Sequence, residues 1–351
     1  MKNVVLAAVA ALLAVSVSAA PVDLAALKAY ATQSLAKCPD AKIDVEPVTQ
    51  AGPVNFLIYA VKMTSSDPSC GKETYLLYSP RTQQVILAAV FRLPADNRPV
   101  ETKISEISTN ILQTGITTTI GKFPLPDGVR PATMTKQTEY GPFAYHGFVD
   151  ANEQFLMVGT RGNLQTPPGK TLLDYLQLEN GVHRGSKTAK TTIVELSDFE
   201  CPTCGRAHKR IEPVIAKNLS KINYYRLDLP LFEHHEWAIY AALGARGIQK
   251  TAPAKYWEYV NYIFENQEAI GKQKFDDVIK NFCEDRDINW KAVEKIYRSP
   301  VERAALLDQV SRAFDAGIIS TPTYIVNGQI LGFGPDGDFT MGQIKKALGL
   351  K

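Results

Sequence analysis

Leu24, Leu27, Ala31 and Leu35 recur at helical spacing, which predicts a helix over residues 23–37 with one apolar face. The period then changes. Residues 54–63, 74–78 and 84–91 are runs rich in β-branched and aromatic side chains, broken by Pro68, Gly71 and Pro80. That is the pattern of strands joined by turns. A second helix is predicted over 100–113, followed by a Pro- and Gly-rich stretch at 121–131. Residues 143–149 and 154–159 read as a hairpin around Asp150-Ala151-Asn152-Glu153. Residues 21–165 therefore read as a separate α+β domain. They carry no recognisable metal cluster, phosphate loop or nucleophile motif.

Gly162, Pro167, Pro168 and Gly169 mark a boundary. Residues 166–190 read as a linker, with a short helix at 171–178 and a Gly- and Lys-containing connector at 180–190. No internal repeat or low-complexity tract is evident. From 191 to 351 the pattern is that of an α/β domain. Residues 191–196 form a compact apolar strand. Residues 201–216 are helical, with Cys204, Ala207, His208, Ile211, Val214 and Ile215 along one face. A strand at 222–229 follows, then a long helical block over about 233–316. Residues 323–326 and 329–332 are strands around Asn327-Gly328, a strong hairpin signal. Thr340-Met341-Gly342-Gln343 fits a capping box opening a last helix.

The first twenty residues change where the chain is expected to work. Lys2, the apolar run 4–17 and Ser18-Ala19-Ala20 read as a cleavable signal peptide. An uncleaved anchor is the alternative, but the run is short of the roughly 20 residues that span a bilayer. The mature chain is expected in the periplasm or outside the cell. Lys and Arg number 39 against 36 Asp and Glu, a formal charge of +3, so nothing points to nucleic acid or an anionic membrane as partner.

Export alters the reading of the five cysteines, because thiols tend to pair in an oxidising compartment. Cys38 and Cys70, the two in the N-terminal half, are expected to pair, with two buried free thiols as the alternative. The bond would close a loop of about 31 residues, contributing about 3–4 kcal/mol in the chain-entropy picture. Cys283 is expected to be a buried structural thiol. Cys201 and Cys204 form the remaining pair, in Cys201-Pro202-Thr203-Cys204.

That motif carries the chemistry. A cysteine attacks only as a thiolate, and a helix N-terminus favours the negative charge. Cys201 stands between a strand and a helix, and Pro202 takes the first helical position, where a missing N–H costs nothing. Cys201 is expected to be the attacking sulfur and Cys204 the buried resolving one. The Thr203 hydroxyl is placed to hydrogen-bond the thiolate. Half a zinc site is the alternative, but there is no second Cys-x-x-Cys, and zinc prefers four ligands. His208 reads as a packing residue on the helix, and no metal or cofactor is expected.

Residues 192–204, Thr192 to Cys204, together with Ser320-Thr321-Pro322-Thr323-Tyr324-Ile325-Val326-Asn327-Gly328, resemble the DsbA/DsbG-like branch of the thioredoxin superfamily. The resemblance covers about residues 185–351 and implies a thioredoxin fold with a helical insertion. It implies that Pro322 is a cis-proline beside the redox pair and exposes backbone for substrate, and that Thr321 helps set reactivity. It also implies that Glu195 is a buried acid under the site, able to take the Cys204 proton if desolvation raises its pKa. Thr203 departs from the best-known oxidase pattern, which has a histidine there. Substrates would be thiol-containing exported polypeptides, with a membrane redox partner recycling the site. An N-terminal domain followed by a linker helix is similar in plan to the dimeric disulfide isomerases, which implies a homodimer through that domain. Oxidase, isomerase and reductase stay open, as does a chaperone-like binding protein on the same scaffold.

Overall fold

The computed structural model describes residues 22–35, 38, 40–66, 72–331 and 337–350. The expected signal peptide and Cys70 lie outside the described residues. The N-terminal part begins with α1 (Leu24–Leu35), then β1 (Lys42–Pro47), β2 (Leu57–Thr64), β3 (Lys72–Tyr78) and β4 (Gln84–Arg92). The same series follows again, as α2 (Val100–Leu112), β5 (Ile116–Ile120), β6 (Arg130–Thr138), β7 (Gly141–Val149) and β8 (Phe155–Asn163). All strands join one eight-stranded antiparallel sheet in the order β1-β2-β3-β4-β8-β7-β6-β5. A helix followed by a four-strand meander therefore occurs twice, and the halves meet at β4 and β8. The expectation of no internal repeat holds for residue identities and fails for topology.

Side-chain alternation decides which face the helices cover. Val85 and Leu87 of β4 join Leu27, Tyr30 and Ala31 of α1 in one core. Leu156 of β8 joins Val100 and Ile104 of α2 in a second. Val85 and Leu87 lie in register with Gly162 and Thr160, so they share a face with Leu156, and both helices lie on the same side of the sheet. Ile86, Ala88 and Met157 point to the other side, under Val129.

Beyond α3 (Pro168–Leu176), a five-stranded sheet has the order β13-β12-β10-β11-β9. Its strands are β9 (Val182–Gly185), β10 (Thr191–Ser197), β11 (Ile222–Asp228), β12 (Thr323–Val326) and β13 (Gln329–Leu331). β10 and β11 are parallel, and α4 (Pro202–Lys217) is the crossover between them. β9 corrects the reading of 180–190 as a plain connector: Val182 to Gly185 pair antiparallel with β11 and form an edge of the sheet. Between β11 and β12 stand α5 (Ala238–Thr251), α6 (Tyr256–Glu265), α7 (Gln267–Ile270), α8 (Phe275–Glu284), α9 (Trp290–Tyr297) and α10 (Pro300–Asp315). Asn327 and Gly328, with φ of 50° and 83°, make the two-residue turn of the β12–β13 hairpin. The last helix, α11 (Asp338–Ala347), opens at a left-handed Gly337 rather than at the expected capping box on Thr340.

The two sheets are joined through a strand edge. β7 pairs with β6 along its whole length but meets β8 only at Phe148 and Val149. The backbone of β7 before that point needs other partners, and α10 supplies them. Ser311 donates its hydroxyl to the Ala144 carbonyl at 2.5 Å, and Asp315 accepts the His146 N–H at 3.0 Å. Asp315 also accepts from the Tyr175 hydroxyl of α3 at 3.0 Å and bonds the His146 ring at 2.7 Å.

Candidate active site

β10 ends at Ser197, and Asp198, Phe199 and Glu200 carry the chain to α4. Cys201 is the N-cap of α4, with extended φ and ψ of −64° and 119°, and Pro202 takes the first helical position. The Cys201 carbonyl accepts the Gly205 N–H at 3.2 Å, and its sulfur is met by backbone N–H groups of Thr203 and Cys204 in the first turn of the helix. Cys201 is 8% exposed and Cys204 is fully buried. Across the site, the Cys201 thiol donates to the Thr321 carbonyl at 3.6 Å, and the Thr321–Pro322 peptide is cis. Cys201, Cys204 and the Thr321-Pro322 turn, far apart in sequence, thus come together. Pro202 is exposed beside them. The Thr203 hydroxyl accepts from Arg206 at 2.8 Å.

The two sulfurs are electrostatically unlike. The Cys204 thiol donates to Cys201, and backbone N–H groups at Thr203 and Cys204 add to it, so the Cys201 thiol is pushed down to about 5 against the opposing effect of burial. Burial, and then the neighbouring Cys201 sulfur, push the Cys204 thiol well up. The Asp198 N–H points at the Cys204 sulfur at 3.5 Å. One sulfur is made ready as a thiolate and the other is held as a thiol.

Glu195 is buried, and its place in the sheet sets its chemistry. It lies in register with Arg226 on β11 and Tyr324 on β12. Arg226 donates to it at 2.8 Å, and the Tyr224 hydroxyl donates to its other oxygen. Burial pushes the carboxyl pKa up, but Arg226, His208 and Tyr224 outweigh it and hold Glu195 below its ordinary value. The role that the resemblance implies for Glu195 was conditional on desolvation raising its pKa, and the net direction is the opposite. Paired with a guanidinium it is a poor proton acceptor, so the condition for taking the Cys204 proton is not met. His208 bonds Asn261 at 2.8 Å and lies against the Phe264 ring, as a packing residue would.

Sequence reasoning passed over four polar residues around the pair. Asp198, fully buried, accepts from the Glu200 N–H at 2.8 Å, the Leu231 N–H at 2.7 Å and the His235 Nδ1 at 2.7 Å. Gln267 of α7 donates to the carbonyls of Phe199 at 2.7 Å and Cys201 at 3.0 Å. Glu200 accepts the Trp237 N–H at 2.6 Å. The only hint in sequence was a carboxylate three residues before Cys201 and the pair His234-His235 after β11.

Cys38 is disulfide-bonded; Cys70, its expected partner, lies outside the described residues. Cys283 is a free thiol buried in α8, and burial pushes it up to about 11.

Comparison with known proteins adds a family. Residues 177–348 match the family model described as Thioredoxin. Residues 177–348 are a thioredoxin-family domain. The chain is 26% identical over 172 residues to disulfide bond formation protein D of Bacillus subtilis, covering 47% of this chain and 75% of that protein. It is 25% identical over 146 residues to the Na(+)/H(+) antiporter NhaA 3 of Salinispora tropica, where the match covers 42% of this chain and only 21% of the relative's length. Among solved structures, BdbD from Bacillus subtilis in its oxidised form is 20% identical and covers 49% of this chain and 95% of its own, with a TM-score of 0.43. The thiol-disulfide exchange protein α-DsbA2 from Wolbachia pipientis is 16% identical over 51% of this chain and 95% of its own, also with a TM-score of 0.43. The thioredoxin-family domain contains every candidate redox residue, and the eight-stranded sheet lies outside the match.

Proposed function

We propose that the protein is an exported thiol–disulfide oxidoreductase that exchanges disulfides with thiol-containing polypeptides through Cys201 and Cys204. The observation that carries this reading is the contrast between the two sulfurs. Cys201, at a helix N-terminus, is pushed down to about 5, while Cys204 is buried behind it and pushed up. In the oxidising direction, a substrate thiolate attacks the Cys201 sulfur of a 201–204 disulfide. Cys204 leaves with the electron pair and takes a proton. A second substrate thiolate then attacks the substrate sulfur of the mixed disulfide, and Cys201 leaves as a thiolate. The substrate gains a disulfide and the protein holds two reduced sulfurs. A stabilised Cys201 thiolate is a good leaving group and favours the reduced protein, which makes the pair an oxidant. Oxidase is therefore preferred over isomerase or reductase. The segment 1–20 supports export, and the reduced site then needs an electron acceptor, for which a membrane redox partner is the natural class.

The test is trapping in the full chain. With Cys204→Ala, the mixed disulfide has no resolving thiol, so substrate adducts through Cys201 should accumulate on non-reducing gels and vanish in Cys201→Ala/Cys204→Ala. If neither disulfide-bonded unfolded polypeptides nor oxidised glutathione form an adduct with Cys201, the reading is wrong.

A further inference from the structure

Thr203 occupies the position between the cysteines from which a histidine would act on the thiolate, yet an imidazole approaches the site from another element. The segment after β11 runs Leu231-Phe232-Glu233-His234-His235 and returns over the turn between β10 and α4. Asp198 ties it there. Its buried carboxylate accepts the Leu231 N–H and the His235 Nδ1, both at 2.7 Å, while its own N–H faces the Cys204 sulfur at 3.5 Å. One residue thus touches the redox pair with its backbone and the imidazole with its side chain.

We propose that His235, held by Asp198, is a positioning residue of the redox centre that places a positive charge beside the Cys201 sulfur. The inference rests on the reading of Cys201 and Cys204 as an exchange pair. The groups facing His235 are Asp198 and Glu200 from the β10–α4 turn and Cys201 from the start of α4; on its own segment Glu233 is engaged by Lys136 of β6. Asp198 is the largest influence, and with Glu200 and Cys201 it raises the imidazole above its ordinary value, against burial. The arrangement is reciprocal: a charge that Cys201 helps to hold must in turn favour the Cys201 thiolate. His235 keeps about a fifth of its side chain exposed, so replacing it removes a charge without opening a core. Its Nδ1 is spent on Asp198, which fixes the ring and leaves the charge as its contribution.

The experiment uses the reduced full chain with His235→Gln and His235→Lys. Cys201 ionisation is followed by the ultraviolet absorbance of the thiolate across pH. His235→Gln should raise the midpoint by roughly half to one pH unit, less than a charge in direct contact produces. His235→Lys, which restores a cation, should stay near the native midpoint. A merely structural histidine would lower the urea midpoint in both variants and leave the thiolate midpoint where it was. An unmoved midpoint in His235→Gln, or an equal shift in His235→Lys, overturns the assignment. Oxidation of the reduced native chain to the 201–204 disulfide by oxidised glutathione separates the two levels. If the native chain is not oxidised, the exchange reading fails. If it exchanges but the variants do not move the midpoint, only the role of His235 fails.

Discussion

Acidifying the reduced protein from neutral pH titrates Cys201 and leaves Cys204 and Cys283 as the thiols they already are, because both are pushed up. Cys201 is held at about 5 against an ordinary 9.0. At pH 7 about 99% of it is thiolate, compared with about 1% of an ordinary thiol, a gain of roughly a hundredfold. The gain does not become speed. Nucleophilicity falls with pKa at a Brønsted slope of about 0.4–0.5, so roughly four units cost about sixtyfold. The two nearly cancel, and alkylation of Cys201 at neutral pH should run within a few-fold of a free thiol. What moves is the profile: its midpoint should lie near 5.

The equilibrium does shift. Two decades of thiolate population, at roughly 30 mV per decade for a two-electron couple, make the 201–204 pair at most about 60 mV more oxidising at neutral pH than an unperturbed pair. Partial solvent screening reduces the figure. The sign follows from a depressed pKa. Stabilisation of the reduced form is full above the ordinary thiol value and is lost as pH falls through about 5. The potential should therefore change slope there, from about 59 mV per pH unit below to about 30 mV above, as one bound proton drops out. Iodoacetamide labelling read by mass spectrometry gives the midpoint, and equilibration with glutathione gives the slope. An alkylation midpoint above about 7.5, within the range of an ordinary thiol, would refute the reasoning.

Other consequences are independent of that titration. Arg226→Met strips Glu195 and Asp228 of their buried cation and should cost about 3–5 kcal/mol in urea unfolding; a loss well under 1 kcal/mol would contradict the role of the pair. Asp315→Ala removes the acceptor for the His146 N–H and the Tyr175 hydroxyl and should cost about 1–3 kcal/mol. The hydrogen bond from the His146 ring to Asp315 chiefly raises His146, so its contribution is full below the ordinary imidazole value of 6.5 and fades as pH rises through the raised one. Thermal melts of the native chain should show that decline and Asp315→Ala should not. Cys283, buried and raised to about 11, should resist alkylation at neutral pH until denaturant is added, and rapid labelling of the folded protein would count against its burial.

The candidate redox pair was legible because its pattern is local. Strand, Cys-Pro-x-Cys and helix follow one another in the chain, and the Asn327-Gly328 turn announces its own hairpin. What was missed depends on partners distant in sequence. Val182 to Gly185 look like connector because only pairing with β11 makes them a strand. β1 and β5 are edge strands, and β1 buries only Ile43 and Val45, a period too short to stand out. Glu195 was misjudged for the same reason. Its burial was readable from a strand pattern, but the cation opposite it comes from the register of β10 on β11. Asp198 and His235 meet only because the chain folds back after β11. The doubled helix-and-meander plan is a repeat of path, and residue identities do not record it.

The eight-stranded sheet also bears on the redox centre through a physical route. Tyr140, at the β6–β7 turn, meets the rings of Phe232 and Tyr240 edge-on at 5.6 and 5.9 Å. Phe143, buried in the same core as Cys201 and Cys204, meets Phe232 at 5.4 Å and Phe314 at 5.7 Å. Phe232 lies directly before Glu233, which Lys136 of β6 engages, and both lie in the segment that carries His235. The sheet thus grips that segment at its start, while Asp198 grips it next to the cysteines. Aromatic side chains each bury about 150–250 Å², so removing the sheet would uncover Phe232, Tyr240 and Phe314 together and release one of the two grips. The thioredoxin-family domain begins at 177 by family comparison, but its active-site segment is packed from outside that boundary. A charge placed by a segment held at both ends has a defined distance from Cys201, and one held only by Asp198 would not. On the proposed role of His235, the thiolate midpoint of Cys201 would depend on both sheets.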